Sequence, residues 1–171
     1  CRSNRIFDAS SAANSLFVGN GSPTAQPFSP FAPSASYNAA VNGGSALWPI
    51  ETDKTNKITL SSSADFAFGT SAFTIEAWVY VTADTNPYSR VWHLGPYWND
   101  NNSIGLVVND TASSDKIAFC VYAAGGRTCV STNTTPFNQW THIACVRDSS
   151  GNFKLFINGN LDATNTSYTS T

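Results

Sequence analysis

The sequence predicts an all-β domain built as an antiparallel sandwich or barrel. Short apolar runs recur at intervals of roughly ten residues, and most are bounded by Gly, Pro, Asn, Asp or Ser. No segment shows a sustained helical period. Asn, Ser and Thr together make up one third of the 171 residues, and these residue types suit turns and solvated sheet faces better than helices.

The runs that predict strands begin after residue 45. They cover residues 46–50, 57–60, 73–82, 90–94, 104–108, 116–122, 127–131, 140–147 and 153–157. The run at 73–81 alternates strictly between two faces. Its predicted core face holds Phe73, Ile75, Ala77, Val79 and Val81. The other face is aromatic and polar, which indicates partial solvation, and holds Thr74, Glu76, Trp78 and Tyr80.

Two short connections have their own signals. Asn158-Gly159 follows the run at 153–157 and predicts a tight hairpin turn, because both residues tolerate positive φ. Residues 65–69 predict one short helical turn.

Residues 1–45 predict an extended N-terminal arm outside the sandwich of residues 46–171. Four of the eight prolines fall between residues 21 and 36, which disfavours a helix. Phe28 and Phe31 lie among these prolines. We expect an arm that anchors by its aromatic side chains, for example on a neighbouring chain, and the alternative is a flexible linker.

The composition excludes several classes of protein. A net charge of −2 with 12% charged residues lacks the basic face that nucleic-acid binding needs. No apolar run has the length of a membrane span.

The absence of Met indicates a processed product or a piece of a longer protein.

The spacing of two cysteines bears on whether they form a disulfide. If residues 123–126 form the tip of a hairpin, Cys120 and Cys129 are directly opposed, which suits a cross-strand disulfide. The alternative is two buried free thiols. Together with five Asn-x-Ser/Thr sequons, the predicted bridge favours an extracellular or particle-surface location.

Three blocks, in the same order and spacing, resemble the laminin-G-like branch of the concanavalin A-like jelly rolls. They are the segment DFAFGTSAFTIEAWVY at 65–80, WTHIACVRD at 140–148 and FKLFING at 153–159. The resemblance covers residues 46–167 and implies a concanavalin A-like antiparallel β-sandwich. Family members continue past the Asn-Gly hairpin, so we expect closing strands from outside this segment or from another subunit.

The resemblance implies a binding or structural module. Glycosidases of the wider superfamily carry paired carboxylates on one strand, whereas Glu76 is flanked at alternate positions by Thr74 and Trp78. His93 and His142 lie within predicted strands and suit structural roles. We therefore predict no enzymatic activity and no cofactor, and rank a glycoside hydrolase third among the candidate functions.

The loop after residue 94 is the predicted ligand site. Tyr97 and Trp98 offer a surface for the apolar face of a sugar, and Asn99, Asp100 and Asn102 can satisfy its hydroxyls. The alternative is that these aromatics fasten the loop to the sandwich. The family often binds Ca²⁺ through loop Asp and Asn oxygens, for which the candidates are this loop, Asp84 and Asn109-Asp110; an ordinary polar turn is the alternative interpretation.

The leading functional hypothesis is adhesion or recognition of a glycan or another cell-surface ligand. The second is a structural subunit of a virion or filament, with the arm and an open sheet edge contacting copies of itself or other neighbours in the particle.

Overall fold

The computed structural model describes residues 10–18, 23–31, 44–48, 57–82, 88–96, 100–124 and 126–166. The chain forms two compact units, residues 1–64 and 65–171. The predicted arm falls within the first unit, and the longer strands all lie in the second.

The first unit contains two short antiparallel pairs. β1 (Leu16–Val18) pairs with β4 (Ile58–Leu60), and β2 (Thr24–Gln26) pairs with β3 (Ser45–Leu47). β1 and β2 fall in the segment expected to be an extended arm outside the sandwich. A three-residue strand is too short for its alternation to stand out from coil in a sequence.

The described residues of the second unit form eight strands in two antiparallel sheets. They are β5 (Phe73–Tyr80), β6 (Ser89–Leu94), β7 (Ile104–Asp110), β8 (Lys116–Val121), β9 (Gly126–Thr134), β10 (Trp140–Arg147), β11 (Phe153–Ile157) and β12 (Asn160–Asn165). Sheet I has the order β12-β11-β10-β5, and sheet II has the order β6-β7-β8-β9. The predicted all-β sandwich is confirmed.

The core lies between the two sheets and centres on Phe119. This fully buried ring makes edge contacts with Phe73 at 6.5 Å and Phe153 at 5.7 Å, and a tilted contact with Trp92 at 6.2 Å between centroids. Both sheets contribute further buried side chains, namely Leu106, Val108, Ile117, Ile143, Cys145 and Leu155. The inner faces of two sheets therefore form one apolar layer, as a sandwich requires.

The alternation of β5 is as predicted. Phe73 and Val79 pack against the core, whereas Thr74, Glu76 and Trp78 are exposed. The turn at Asn158-Gly159 is also confirmed, with φ values of 50° and 80°, and it joins β11 to β12. The short helical turn is a 3-10 turn at Ala64–Phe66.

β12 is not among the predicted strands, and it links the two sheets. The Asp162 carboxylate accepts a hydrogen bond from Thr132 N at 2.7 Å, and Asn165 Nδ2 donates to Thr128 O at 3.1 Å. Thr128 and Thr132 belong to β9, so the last strand of sheet I reaches the edge strand of sheet II. The sandwich is joined along this side by specific hydrogen bonds.

The predicted Cys120–Cys129 disulfide is wrong. A register shift between Phe119 and Cys120 places Cys129 opposite Phe119, and Cys120 opposite Arg127. Cys129 therefore points into the core, while Cys120 lies on the other face of sheet II beside Ala118. Both thiols are free and buried, as is that of Cys145.

Candidate functional site

The outward face of sheet I carries a stripe of aromatic side chains on its strands β5 and β10. Because Ile143 and Cys145 point into the core, the residues between and beside them point out. Cross-strand pairing sets Trp140 opposite Tyr80, and His142 opposite Trp78. Four rings are thus gathered on neighbouring positions of one sheet face.

The rings contact each other in pairs. Trp78 and His142 have centroids 5.2 Å apart at an interplanar angle of 50°, and Tyr80 and Trp140 have centroids 5.6 Å apart at 68°. Such tilted contacts hold aromatic side chains in fixed orientations. Trp78 nevertheless remains 42% exposed, so part of a rigid indole surface faces solvent.

A polar pair lies beside Trp78. His142 Nε2 is 3.4 Å from a carboxylate oxygen of Glu76, whose side chain is 62% exposed. The backbone of His142 is fixed, since its N donates to Asn158 Oδ1 at 2.9 Å and its carbonyl accepts from Asn158 N at 2.8 Å. The hairpin turn that the sequence predicts therefore also positions the imidazole.

The same face continues across the sheet. Ala144 of β10 lies opposite Glu76 on one side and Phe156 of β11 on the other, and Phe156 lies opposite Leu161 of β12. Leu161 is 55% exposed. We call this outward surface the platform; it consists of Glu76, Trp78, His142, Ala144, Phe156 and Leu161.

The platform combines two kinds of contact. Trp78 and Leu161 present exposed apolar surface, Phe156 is half-buried, and the Glu76 carboxylate and the His142 imidazole supply hydrogen-bonding groups next to Trp78. Large exposed apolar side chains that are surrounded by polar ones usually mark interaction sites. A ligand with an apolar face and a rim of hydroxyl groups matches both parts.

Of the predicted loop site, the structure describes only Asp100 and Asn102; Tyr97, Trp98 and Asn99 lie outside the described residues. Asp100 Oδ1 accepts a hydrogen bond from Asn102 N at 2.8 Å, and the Asp100 carbonyl accepts one from Ser103 N at 2.9 Å. Asp100 thus stabilises its own turn. The loop joins two strands of sheet II, whereas the platform belongs to sheet I. The predicted contact loop stays a prediction.

The predicted calcium ligands differ in whether their oxygen atoms are already engaged in other contacts. Asp84 lies outside the described residues. The Asp110 carboxylate is buried and already accepts hydrogen bonds from both Arg127 and Ser113, the latter at 2.7 Å. Burial opposes ionisation of Asp110, but these hydrogen bonds outweigh it and hold the pKa of the carboxyl below its ordinary value. Asp110 therefore acts as the partner of a guanidinium. Within the described ranges, His, Cys, Asp and Glu side chains form no group of three that could hold a metal ion.

The sequence pattern predicts two of the six platform residues. The alternation of β5 predicts that Glu76 and Trp78 point outward, whereas the sequence favours a structural role for His142 and carries no signal that marks Phe156 or Leu161. The alternation of β10 could have put Trp140 and His142 on one face. What the sequence lacked was the register that brings this face beside Trp78.

One family model matches residues 52–171, and its family is described as the concanavalin A-like lectin/glucanases superfamily. No curated protein matches the sequence. In the part of the chain that the structure describes, no helix combines the length and hydrophobicity needed to cross a bilayer.

Proposed function

Because the chain belongs to the concanavalin A-like lectin/glucanases superfamily, we propose that it is a non-enzymatic recognition module that binds carbohydrate at an extracellular or particle surface. The observation that carries this proposal is the exposed indole of Trp78 beside the Glu76–His142 pair on the outward face of sheet I. The ring of a sugar stacks on the indole, and its hydroxyl groups donate to the carboxylate and bond with the imidazole.

The surroundings of Glu76 support recognition over hydrolysis. Glycosidases place two carboxyl groups on either side of the scissile bond. The outward positions next to Glu76 are Thr74, Trp78 and Ala144, and the His142 imidazole lies 3.4 Å from its carboxylate. These neighbours favour a role for Glu76 in orienting a ligand over a role in hydrolysis.

A glycan array tests the proposal. The wild-type protein is expected to bind at least one glycan, and Trp78→Ala is expected to weaken that binding about tenfold or more, the size usual for truncation of an aromatic anchor. Thr74→Ala is the matched control, because Thr74 is exposed on the same strand and the same face. Binding that survives Trp78→Ala unchanged would contradict the assignment of the site.

The same array decides between the platform and the predicted loop. Trp98→Ala should leave binding intact if the platform is the site. Loss of binding in Trp98→Ala, with Trp78→Ala unaffected, would move the site to the loop.

A second candidate function is a structural subunit of a virion or filament. The observation that favours it is a set of large apolar side chains exposed in the first unit: Phe17, Phe28, Phe31, Leu47, Trp48 and Leu60. Exposed apolar surface of this kind is usual where another molecule packs. Light scattering over a range of concentrations tests it, since a monomer at every concentration would count against assembly by this chain alone.

A further inference from the structure

The asparagines of the five Asn-x-Ser/Thr sequons differ in how the fold places their side chains. A glycan attached to Asn is bulky and hydrated, so the asparagine that carries it must lie at the surface of the folded protein. The structure describes four of the five, namely Asn101, Asn109, Asn133 and Asn165, whereas Asn20 lies outside the described residues. These four can be compared by burial, hydrogen bonding and backbone conformation.

Two of the four asparagines are part of the packed structure. Asn109 is 6% exposed, has φ 52°, and its N donates to Thr135 Oγ1 at 2.8 Å. Asn165 already uses the atom to which a glycan would be attached, since its Nδ2 donates to Thr128 O and so helps to join β12 to β9. A glycan on either residue would displace these contacts, so the folded sandwich excludes both.

The other two asparagines are exposed. Asn101 lies in the turn that the Asp100 carboxylate stabilises, and Asn133 lies near the end of β9 between the exposed Thr132 and Thr134. Within the described part of the chain, neither of these two side-chain amides has a hydrogen-bond partner. A glycan on either amide would therefore project into solvent without breaking a contact of the fold.

The hydroxyl residues of these two sequons bear on when a glycan can be attached. Ser103 and Thr135 are both buried in the folded protein. Because the transferase recognises the hydroxyl together with the asparagine, attachment must come before Ser103 and Thr135 dock. The exposed asparagine then leaves the glycan outside while the fold closes over the hydroxyl.

We propose that Asn101 and Asn133 are acceptors of N-linked glycans and that Asn109 and Asn165 are not. The donor is an oligosaccharide carried on a lipid diphosphate. The acceptor Nδ2 forms a bond to the anomeric carbon of the donor, and one amide proton passes to a base of the transferase. The bond from that carbon to the diphosphate oxygen breaks, and the lipid diphosphate leaves with the electron pair. This inference rests on the extracellular location in the proposed function, and it is independent of carbohydrate binding by the platform.

The position of Asn133 limits where the chain can meet another protein. β9 is an edge strand of sheet II, and a glycan at Asn133 would keep the end of this edge from pairing with a second chain. Any assembly of the kind required by the second candidate function would then use other surfaces. Trp78 stays uncovered, because β12, which contacts β9, and β5, which carries Trp78, are opposite edges of sheet I.

Expression through the secretory pathway of human cells tests the four assignments. The full chain carries a cleavable secretion leader and Asn20→Gln, which removes the sequon outside the described residues. The sample is the secreted protein or, if none is secreted, the protease-resistant fraction of the cell extract. An amidase that releases N-glycans converts each occupied Asn to Asp, and water labelled with heavy oxygen distinguishes these sites from spontaneous deamidation.

Peptide mapping then gives the occupancy of each sequon. We expect conversion at Asn101 and Asn133, and none at Asn109 or Asn165. Pro136 directly follows the Asn133 sequon and restricts the backbone of its hydroxyl residue, so Asn133 is expected to be occupied in only a fraction of the molecules.

Gel mobility of variants checks the map. Asn101→Gln and Asn133→Gln are each expected to lose one glycan, and the double variant is expected to lose both. Thr134→Ser is the matched control, because Thr134 is exposed at the middle position of the Asn133 sequon and the substitution leaves that sequon intact. It should keep the wild-type pattern, and thermal unfolding shows whether each variant keeps the fold.

Each outcome decides one assignment. A glycan on Asn109 or Asn165 in the folded protein would overturn the exclusion of that residue. An unmodified Asn101 or Asn133 would overturn its assignment as an acceptor. Neither result affects the claim of carbohydrate binding, because the Trp78→Ala comparison uses protein that is made in bacteria without N-glycans.

Discussion

The two residues of the Asp110–Arg127 pair differ in how deeply their side chains are buried. The Asp110 side chain is 1% exposed, whereas the Arg127 side chain is 42% exposed and lies 5.9 Å from the centre of the Tyr88 ring. Removing Asp110 leaves a guanidinium that can reach water. Removing Arg127 leaves a buried carboxylate without its main partner.

We therefore expect Arg127→Ala to be more destabilising than Asp110→Ala. A loss of about 3 kcal/mol is expected for Arg127→Ala, and about 1 kcal/mol for Asp110→Ala. Urea denaturation of the two variants measures the difference in the free energy of unfolding. Equal losses would show that the carboxylate is less buried than its environment indicates.

The same pair predicts a dependence of stability on pH. The pKa of Asp110 is lowered in the folded protein, so the unfolded chain takes up a proton first as the pH falls. The stabilisation is present above the ordinary carboxyl pKa of about 3.9 and is lost as the pH falls through the lower folded-state value. Stability should fall less in Asp110→Asn than in the wild type between about pH 5 and pH 3. Parallel curves for the two proteins would contradict this.

At the scale of the element, glycine marks two connections that differ in how well they tolerate a side chain. Gly159 has φ +80°, and the space that a Cβ would occupy is open, so Gly159→Ala meets only backbone strain. Gly95 has φ +123°, and a Cβ there would lie 2.8 Å from Ser103 Cα and 2.9 Å from Asn102 O.

Gly95→Ala should therefore destabilise the protein more than Gly159→Ala. The strain of positive φ alone costs about 1 kcal/mol, and the clash at Gly95 adds to that. Thermal unfolding of the two variants checks the order. A reversed order would show that the β6–β7 connection relaxes more easily than the β11–β12 turn.

The burial of three cysteine side chains predicts how their thiols react. Burial raises the pKa of Cys120 to about 11 and that of Cys129 to about 11, and it raises the pKa of Cys145 well above its ordinary value. In a Cys1→Ser variant, a thiol reagent at neutral pH should label nothing in the folded state and three thiols after unfolding. A mass two hydrogens lower, in the presence of oxidant, would show instead that a disulfide forms.

The strands show which parts of the fold a sequence can predict. β5 is long, alternates strictly and ends near polar residues, so its extent and its two faces follow from pattern alone. The pairing of Cys120 and Cys129 failed because one bulge reverses the face of every later residue, and a bulge leaves little trace in the sequence. The sequence predicts only two of the six platform residues for the same reason, since His142 meets Trp78 only through the register of β10 against β5.

For the whole molecule, the division into units predicts where function resides. The apolar core and the platform both lie in residues 65–171. This segment, expressed alone, should unfold cooperatively and should bind the same glycan as the full chain. Circular dichroism and calorimetry check the two properties. A folded segment without binding would show that residues 1–64 contribute to the site.

The placement of Cys120 and Cys129 on opposite faces of the β8–β9 hairpin bears on the cellular compartments in which the chain can fold. With Cys120 and Cys129 on opposite faces of sheet II, backbone pairing and burial hold this hairpin together with no covalent link between its two thiols. Formation of this hairpin then does not depend on oxidation of its two thiols. A reducing cytosol, where particles are built, and an oxidising exterior, where adhesins act, are equally permissive to it.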